Sequence, residues 1–301
     1  MKQYITLILS LLTFDSISAN ESILTFDYSR VDSIAINFNE DYSNDASYLA
    51  QKLTVNLETQ HEKYRVIFRW ISENIEYKRG RYGPDSETIL KKGAAVCEGY
   101  SSLLKEMCEA VNIECKIIVG YSKTTPSSDI PLRLKKTDHA WSAVKLYDKW
   151  YLSDVTWATS KFNTDDREFI KEFDENYFIS DPNFFLLKHY PEDKDWILTD
   201  TSFTKRDFKK GAVFYSNYLD FDFQDLKIPK GLVRRKIKVE FTTPVEITRA
   251  SIGFKRSRDY IPIEVKNENG LSIIEYEFEK GDFGAFTIFL NGKAIWGFKK
   301  K

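Results

Sequence analysis

The sequence predicts an α+β fold in which helices pack on an antiparallel sheet, followed by a second region made almost wholly of strands. Three observations predict it: helical spacing of apolar residues before residue 112, a hairpin pattern over 139–157, and short strands separated by turn signals after residue 205. The 301 residues are enough for two ordinary domains. A hydrophobic fraction of 42% and a charged fraction of 30% are typical of globular proteins.

The first residues have the layout of a secretory signal peptide. One lysine precedes an apolar run from Tyr4 to Phe14, and small residues follow as far as Ala19. An ordinary first helix is the alternative, because Asp15 and the single basic residue are unusual in an export signal. No segment is apolar enough over a sufficient length to cross a bilayer. We therefore predict a signal peptide over 1–19 and a secreted or periplasmic protein without a membrane span.

Charge and cysteine content exclude several classes of protein. With 44 basic and 45 acidic residues the net charge is -1, whereas nucleic-acid-binding proteins usually carry a basic excess. Three cysteines, Cys97, Cys108 and Cys115, are too few for a disulfide scaffold, and they lack the close pair typical of zinc sites. We expect no nucleic acid, no metal and no cofactor. A bridge between Cys108 and Cys115 stays open, because it requires a helix end and a strand to approach closely.

The first elements are predicted from the spacing of apolar residues. Residues 20–45 are polar and irregular, with one strand-like run at 33–38. Helical patterns follow at 44–57 and 62–77, and the second has one apolar face. That face comprises Tyr64, Ile67, Phe68, Ile71 and Ile75. A loop marked by glycine and proline, 78–93, leads to the next helix.

Cys97 opens this next helix. Apolar residues recur at helical spacing from Tyr100 to Val111, and three positions before Tyr100 is Cys97. The thiol therefore begins the buried stripe of the helix and points into the protein. Position alone leaves two interpretations open: a small buried residue that helps packing, or a nucleophile held at a helix N-terminus.

A buried strand at 114–122 and a hairpin at 139–157 follow. With a two-residue turn at 147–148, the numbers of paired residues sum to 295. His139 and Asp154 then share one face as diagonal neighbours, roughly 7–8 Å apart at the backbone. That separation lets a carboxylate accept the imidazole N–H.

The order of Cys97, His139 and Asp154 on helix, strand and adjacent strand suits cysteine catalysis, which needs a thiolate, a base and a group that orients the base. The other histidines, His61 and His189, have no obvious acidic partner on a rigid element. Each of the three residues also has a purely structural interpretation: a packing thiol, a structural histidine, an aspartate that caps a turn. Taken together, the three favour a catalytic site.

The region after residue 205 is predicted to be a small β-sandwich of the immunoglobulin-like kind. Turn signals at Asn269-Gly270 and Asn291-Gly292 separate its strands. Five strand patterns occur, at 234–242, 247–254, 261–267, 272–280 and 285–298. An aromatic-rich segment broken by prolines, 174–200, precedes them. We therefore predict domains at 20–204 and 205–301.

Residues 64–157 resemble the transglutaminase-like core of the papain-like cysteine enzymes. The resemblance is carried by three stretches: RVIFRWISENIEY, GAAVCEGYSSLLKEMCEAVNIECKIIVGYS and DHAWSAVKLYDKWYLSDVTW. The segment 177–200 resembles the one that follows this core in kyphoscoliosis peptidase-like proteins. The resemblance implies a papain-like/transglutaminase-like core with Cys97 as nucleophile, His139 as base and Asp154 as its orienting group.

The implied chemistry begins with attack of the thiolate on an amide carbonyl, with the backbone N–H of Cys97 as an oxyanion donor. Tyr82 and Trp141 are candidates for a second donor or a substrate contact. Water would resolve the acyl-enzyme in a protease acting on a protein or peptide, and an amine would do so in a protein-glutamine transglutaminase. A non-catalytic scaffold that binds peptide or glycan, in part through the C-terminal domain, is the third alternative.

Overall fold

The computed structural model describes residues 23–80, 83–163, 168–255, 257 and 259–301. The chain forms two compact units, one of Met1–Val119 with His139–Pro182 and one of Gly120–Asp138 with Asn183–Lys301. These units differ from the predicted domains 20–204 and 205–301, whose boundary stays a prediction. The predicted signal peptide, 1–19, lies outside the described residues. No helix in the described ranges is long and apolar enough to cross a membrane.

The elements up to residue 171 alternate between helices and short strands. They are α1 Ser29–Asn37, α2 Ala46–Thr54, α3 Gln60–Asn74, β1 Glu76–Tyr77, α4 Ser86–Lys92, β2 Ala94–Ala95, α5 Cys97–Glu109, β3 Cys115–Ser122, α6 Pro126–Asp129, β4 His139–Leu146, β5 Lys149–Ser153, α7 Val155–Thr159, β6 Ser160–Asn163 and β7 Glu168–Lys171. Strands β5, β4 and β3 lie side by side in that order in one sheet. The helices and antiparallel strands of the predicted α+β class are confirmed.

The predicted strand at 33–38 is wrong, because these residues lie in or directly after α1. The run contains three consecutive apolar residues, Ile34, Ala35 and Ile36, which do not separate onto two faces of a strand. Val31 and Ala35, one helical turn apart, are buried, whereas Ile36 is 52% exposed. A helix with a narrow apolar stripe and one exposed isoleucine therefore produces a short apolar run that resembles a strand.

Helix α3 confirms the apolar face predicted for the second helical pattern. Its five apolar positions are at most 1% exposed. A capping box starts the helix: Thr59 accepts from the backbone N–H of Glu62, whose side chain in turn accepts from the N–H of Thr59. The helix therefore presents a fixed apolar surface against which α1, α2 and α5 pack.

The hairpin β4–β5 has the predicted register. Ser142 lies opposite Ser153 and Leu146 opposite Lys149, so the paired numbers sum to 295. Tyr147 and Asp148 form the turn with φ of 48° and 63°, which is the backbone of a type I′ hairpin turn. Because side chains alternate across a strand, this turn fixes which residues of the two strands share a face.

The elements after residue 171 are mostly strands. They are a 3₁₀ turn Glu175–Tyr177, α8 Pro182–Lys188, β8 His189–Pro191, a 3₁₀ turn Lys194–Trp196, α9 Lys205–Lys210, β9 Val213–Phe214, a 3₁₀ turn Ser216–Phe221, β10 Gln224–Lys227, β11 Leu232–Val233, β12 Lys236–Thr242, β13 Ala250–Phe254, β14 Tyr260–Ile263, β15 Val265–Glu268, β16 Leu271–Glu277, β17 Gly284–Leu290 and β18 Lys293–Lys300.

The C-terminal strands form the predicted sandwich. One sheet has the order β10-β12-β16-β15, and the other has the order β11-β18-β17-β13-β14 with β9 paired to β18. Side chains from both sheets share one core, in which Val239 and Ile274 of the first sheet cluster with Ile252, Ile288 and Trp296 of the second. The turn signals at Asn269-Gly270 and Asn291-Gly292 connect hairpins, with positive φ at each residue. The immunoglobulin-like topology of this sandwich stays a prediction.

A buried arginine joins separated segments of the first unit. The Arg65 side chain on α3 is 3% exposed. Its guanidinium donates to both carboxylate oxygens of Asp32, at 2.6 and 2.7 Å, and to the carboxylate of Glu175. The rings of Tyr28 and Phe178 lie 4.9 and 4.6 Å from its central carbon. Bidentate geometry and aromatic stacking suit arginine and not lysine.

We expect Arg65→Ala to lower the free energy of unfolding by about 2–4 kcal/mol, because it removes the buried partner of two carboxylates. Urea unfolding measures the change. Arg30→Ala is the matched control, since that arginine is 63% exposed and pairs with Glu62, a pair worth at most about 1 kcal/mol. Equal losses for the two variants would contradict a special role for Arg65.

Candidate active site

Cys97 is the first residue of α5 and lies half-buried. The stripe that it begins is confirmed, because Tyr100, Leu103, Leu104 and Met107 are fully buried. Cys97 is less buried than these residues, since it lies at the end of the stripe. Val96 precedes it in an extended conformation and provides no side-chain cap to the helix. The positive end of the helix dipole is therefore left to act on the thiol.

His139 is the first residue of β4 and is 8% exposed. Its Nε2 lies 2.6 Å from Oδ2 of Asp154, a buried hydrogen bond of the kind that the register predicted. Its side chain is also hydrogen-bonded to the thiol of Cys97. With Nε2 facing the carboxylate, Nδ1 is the ring nitrogen left to exchange a proton with the sulfur.

Asp154 lies one residue beyond β5, in the link to α7. Its carboxylate has two tasks: Oδ2 faces His139, while Oδ1 accepts from the backbone N–H groups of Thr156 at 2.9 Å and Trp157 at 3.1 Å. The side chain thus caps the start of α7 and orients the imidazole at once. The capping and catalytic interpretations of this aspartate are compatible.

The electrostatics of the pair favour a thiolate and an imidazolium. Burial alone would raise the pKa of Cys97, but the hydrogen bond and charge of His139, with a further bond from the N–H of Ala140, lower it below the ordinary thiol value. Burial alone would lower the pKa of His139, but the charge and hydrogen bond of Asp154, and then Cys97, raise it to about 10. A proton is therefore better held on the imidazole than on the sulfur.

Aromatic rings surround the imidazole. The ring of Trp157 lies 5.3 Å from that of His139, and the ring of Trp141 lies 6.1 Å from it. Trp141 is 1% exposed, so it packs beside the histidine from within the unit. Its role as a donor or substrate contact stays a prediction. Tyr82, the other candidate, lies outside the described residues.

Tyr77 is a neighbour of Cys97 that the sequence did not single out. It pairs with Ala95 in the two-stranded sheet β1–β2 and is half-buried. Burial, and next the charge of Cys97, raise the pKa of its phenol, which therefore stays protonated and able to donate. Its only sequence signal is its place at the end of the helical pattern 62–77.

His61, Cys108 and Cys115 have structural surroundings, and His189 packs on an aromatic ring. Nδ1 of His61 lies 2.9 Å from the hydroxyl of Tyr147. The ring of His189 stacks on Phe185 with centroids 4.0 Å apart. Cys108 and Cys115 are buried, unbridged thiols joined by a hydrogen bond. Burial raises the pKa of Cys108, which makes this thiol a poor nucleophile.

Comparison with known proteins gives this site a family context. The model of the transglutaminase-like superfamily matches residues 47–155, a range that contains Cys97, His139 and Asp154. The human kyphoscoliosis peptidase is 30% identical over 176 residues, which are 56% of this chain and 27% of that protein. Hillarin of Drosophila melanogaster is 25% identical over 199 residues, 61% of this chain and 24% of that protein.

A solved structure described as a TGase is 12% identical, covers 55% of this chain and 43% of its own, and has a TM-score of 0.31. The family assignment therefore rests on the family model and the sequence relatives. This chain spans about a quarter of the length of each of these two relatives, 27% and 24%. Residues 47–155 match the transglutaminase-like superfamily, and the chain is similar to the kyphoscoliosis peptidases of human and mouse over 56% and 52% of its length.

Proposed function

We propose that this protein is a cysteine peptidase or related amide hydrolase that acts on protein or peptide chains. One observation carries the proposal: a single buried imidazole, His139, is hydrogen-bonded both to the Cys97 thiol and to the Asp154 carboxylate. Such an arrangement supplies a nucleophile, a proton carrier and an orienting group. The partial exposure of Cys97 at the start of α5 leaves the sulfur accessible to an extended chain.

The proposed reaction begins when the Cys97 thiolate attacks the amide carbonyl carbon and the carbonyl oxygen becomes an oxyanion. The backbone N–H of Cys97 donates to that oxyanion, and the phenol of Tyr77 is a candidate for the second donor. His139 gives its proton to the departing amine, which leaves a thioester on Cys97. His139 then takes a proton from water, whose attack on the thioester releases the carboxylate product and restores the thiolate.

Asp154 is proposed to hold His139 in one orientation and to stabilise its charged form. Because the same carboxylate caps α7, the orientation is fixed by backbone as well as by packing. Export of the protein is also a proposal; it rests on the layout of residues 1–19. The proposed contact of the C-terminal region with peptide or glycan rests on its composition alone.

We expect His139→Ala to raise the pKa of the Cys97 thiol and so slow its alkylation by iodoacetamide. Because only the thiolate reacts, each rise of one in that pKa should slow the reaction about tenfold at neutral pH. Mass spectrometry of the labelled peptides at neutral pH measures the rate. His61→Ala is the matched control, since that histidine lies in the same unit and contacts Tyr147. Cys97 reacting no faster than a denatured thiol, and unaffected by His139→Ala, would contradict the proposal.

We expect kcat/KM for a peptide substrate to follow a bell-shaped pH profile. Activity rises with pH as Cys97 ionises, at a pH below that of an ordinary thiol, and falls as His139 loses its proton near pH 10. Asp154→Asn should move the alkaline limb to lower pH, because it removes the charge that raises the pKa of His139. An alkaline limb that stays in place would contradict the role of Asp154.

We expect casein to be cleaved without incorporation of a fluorescent primary amine, because water and not an amine resolves the proposed thioester. Gel electrophoresis with fluorescence detection separates the two outcomes. Cys97→Ala is the control and should abolish cleavage. Incorporation of the amine without new fragments would indicate a transglutaminase, and neither activity together with unreactive Cys97 would indicate a non-catalytic scaffold.

A further inference from the structure

Positive charge is concentrated in two segments of the second unit. Residues 130–136 and 205–210 carry seven basic side chains and one acidic one, whereas the whole chain has a net charge of -1. The two segments are far apart in the sequence. Residues 130–136 form a connection after α6, and residues 205–210 form α9. The structure joins the two segments by a backbone hydrogen bond, and Arg133 of the first and Lys209 of the second line one cavity.

Backbone hydrogen bonds join these segments. The N–H of Leu132 donates to the carbonyl of Lys209 at 3.1 Å. The N–H of Gly231 donates to the carbonyl of Lys210, and the N–H of Lys299 donates to the carbonyl of Gly231, both at 2.8 Å. A side chain at Gly231 would collide with the carbonyl oxygen of Gly211, 2.4 Å from an added Cβ. Close backbone packing therefore holds the basic residues at fixed positions.

A cavity of about 550 Å³ opens between these segments. Pro131, which is exposed, contributes apolar surface beside the buried Ile130 and Leu132, and Arg133, Lys209 and Lys299 contribute positive charge. Arg133 and Lys209 are exposed. Within the described ranges none of these three side chains pairs with a carboxylate. The cavity therefore has positive charge that no ion pair within the described residues neutralises, although the Lys299 ammonium donates to the carbonyl of Ser127 at 3.3 Å.

The nearby acidic groups are used in local structure. The carboxylate of Asp129 accepts from the backbone N–H groups of Thr124 and Thr125, at 2.7 and 2.9 Å. The carboxylate of Asp207 accepts from the N–H and hydroxyl of Thr204 at the start of α9. The carboxylate of Asp207 thereby completes a capping box at α9, and that of Asp129 is held by the backbone before α6.

We propose that this cavity binds an acidic peptide segment, one in which Asp or Glu alternates with an apolar side chain. The volume lies in the range of ligand pockets and is too large for one small anion to fill. The exposed Pro131 gives a peptide side chain an apolar surface to bury, and the three cations pair with carboxylates. An extended peptide presents alternate side chains to opposite sides, which matches one charged and one apolar lining.

The test measures binding without turnover, so its failure is distinguishable from failure of the proposed reaction. Fluorescence anisotropy would follow a short labelled peptide of alternating glutamate and leucine on the full chain. The double variant Arg133→Gln/Lys209→Gln removes two cavity charges. Lys266→Gln/Lys280→Gln removes two exposed charges of the same unit outside the cavity and is the matched control. Unfolding curves and Cys97 labelling check that both variants fold.

We expect the cavity variant to bind at least about tenfold more weakly than the wild type, and the control variant to bind as the wild type does. Ser128→Trp, which places a large ring at the cavity lining, should also weaken binding. A peptide with glutamine for glutamate, or serine for leucine, should bind more weakly. Three results would overturn the proposal. The two double variants could lose the same affinity, or the glutamine peptide could bind as tightly as the glutamate peptide. Inorganic phosphate could also displace the labelled peptide as well as unlabelled peptide does.

Discussion

The hydrogen bond between Nε2 of His139 and Oδ2 of Asp154 joins two ionisable groups that are almost completely removed from water. A buried charge is costly unless it is paired, so each group needs the other as its partner. Against the effect of burial, Asp154 raises the pKa of His139, and the hydrogen bond and charge of His139 in turn lower the pKa of Cys97. The reactivity assigned to the thiol therefore depends on the Asp154 carboxylate, which acts on it through His139.

This interaction exists only because the hairpin has one register. The turn at Tyr147 and Asp148 sets the pairing of β4 with β5, and the parity of that pairing brings His139 and Asp154 to the same side. A slip by one residue would separate them. Helix α5 contacts β4, so the packing of its apolar stripe brings Cys97 to the imidazole. Fold stability and site geometry thus depend on the same buried surfaces.

Much of this geometry could be predicted from local sequence. Strand alternation and a two-residue turn are short-range signals, and they were sufficient for the hairpin and for the strands of the sandwich. Strand β3 was predicted to be buried throughout, but Ile117 and Val119 are 36% and 45% exposed. An apolar run does not reveal whether both faces of its strand are covered. The position of Asp154 beyond the end of β5 was likewise missed, because a helix cap ends the strand early.

Contacts between distant residues could not be predicted. Arg65 pairs with Asp32, 33 residues before it, and with Glu175, 110 residues after it. No periodicity connects such residues, and a charged side chain on a helix is ordinarily expected in solvent.

The Arg65 cluster also distinguishes a homologous segment from a folding unit. The family match covers residues 47–155, yet the buried guanidinium is neutralised by Asp32 and Glu175, which lie outside that range at either side. The carbonyl of Tyr177, also outside it, accepts from the N–H of Asp154. The segment that matches the superfamily is thus shorter than the segment whose contacts satisfy the buried groups of this unit. A protein trimmed to residues 47–155 would lack both carboxylates that pair with Arg65 and the carbonyl that binds Asp154, so the flanking residues are needed for a stable fold.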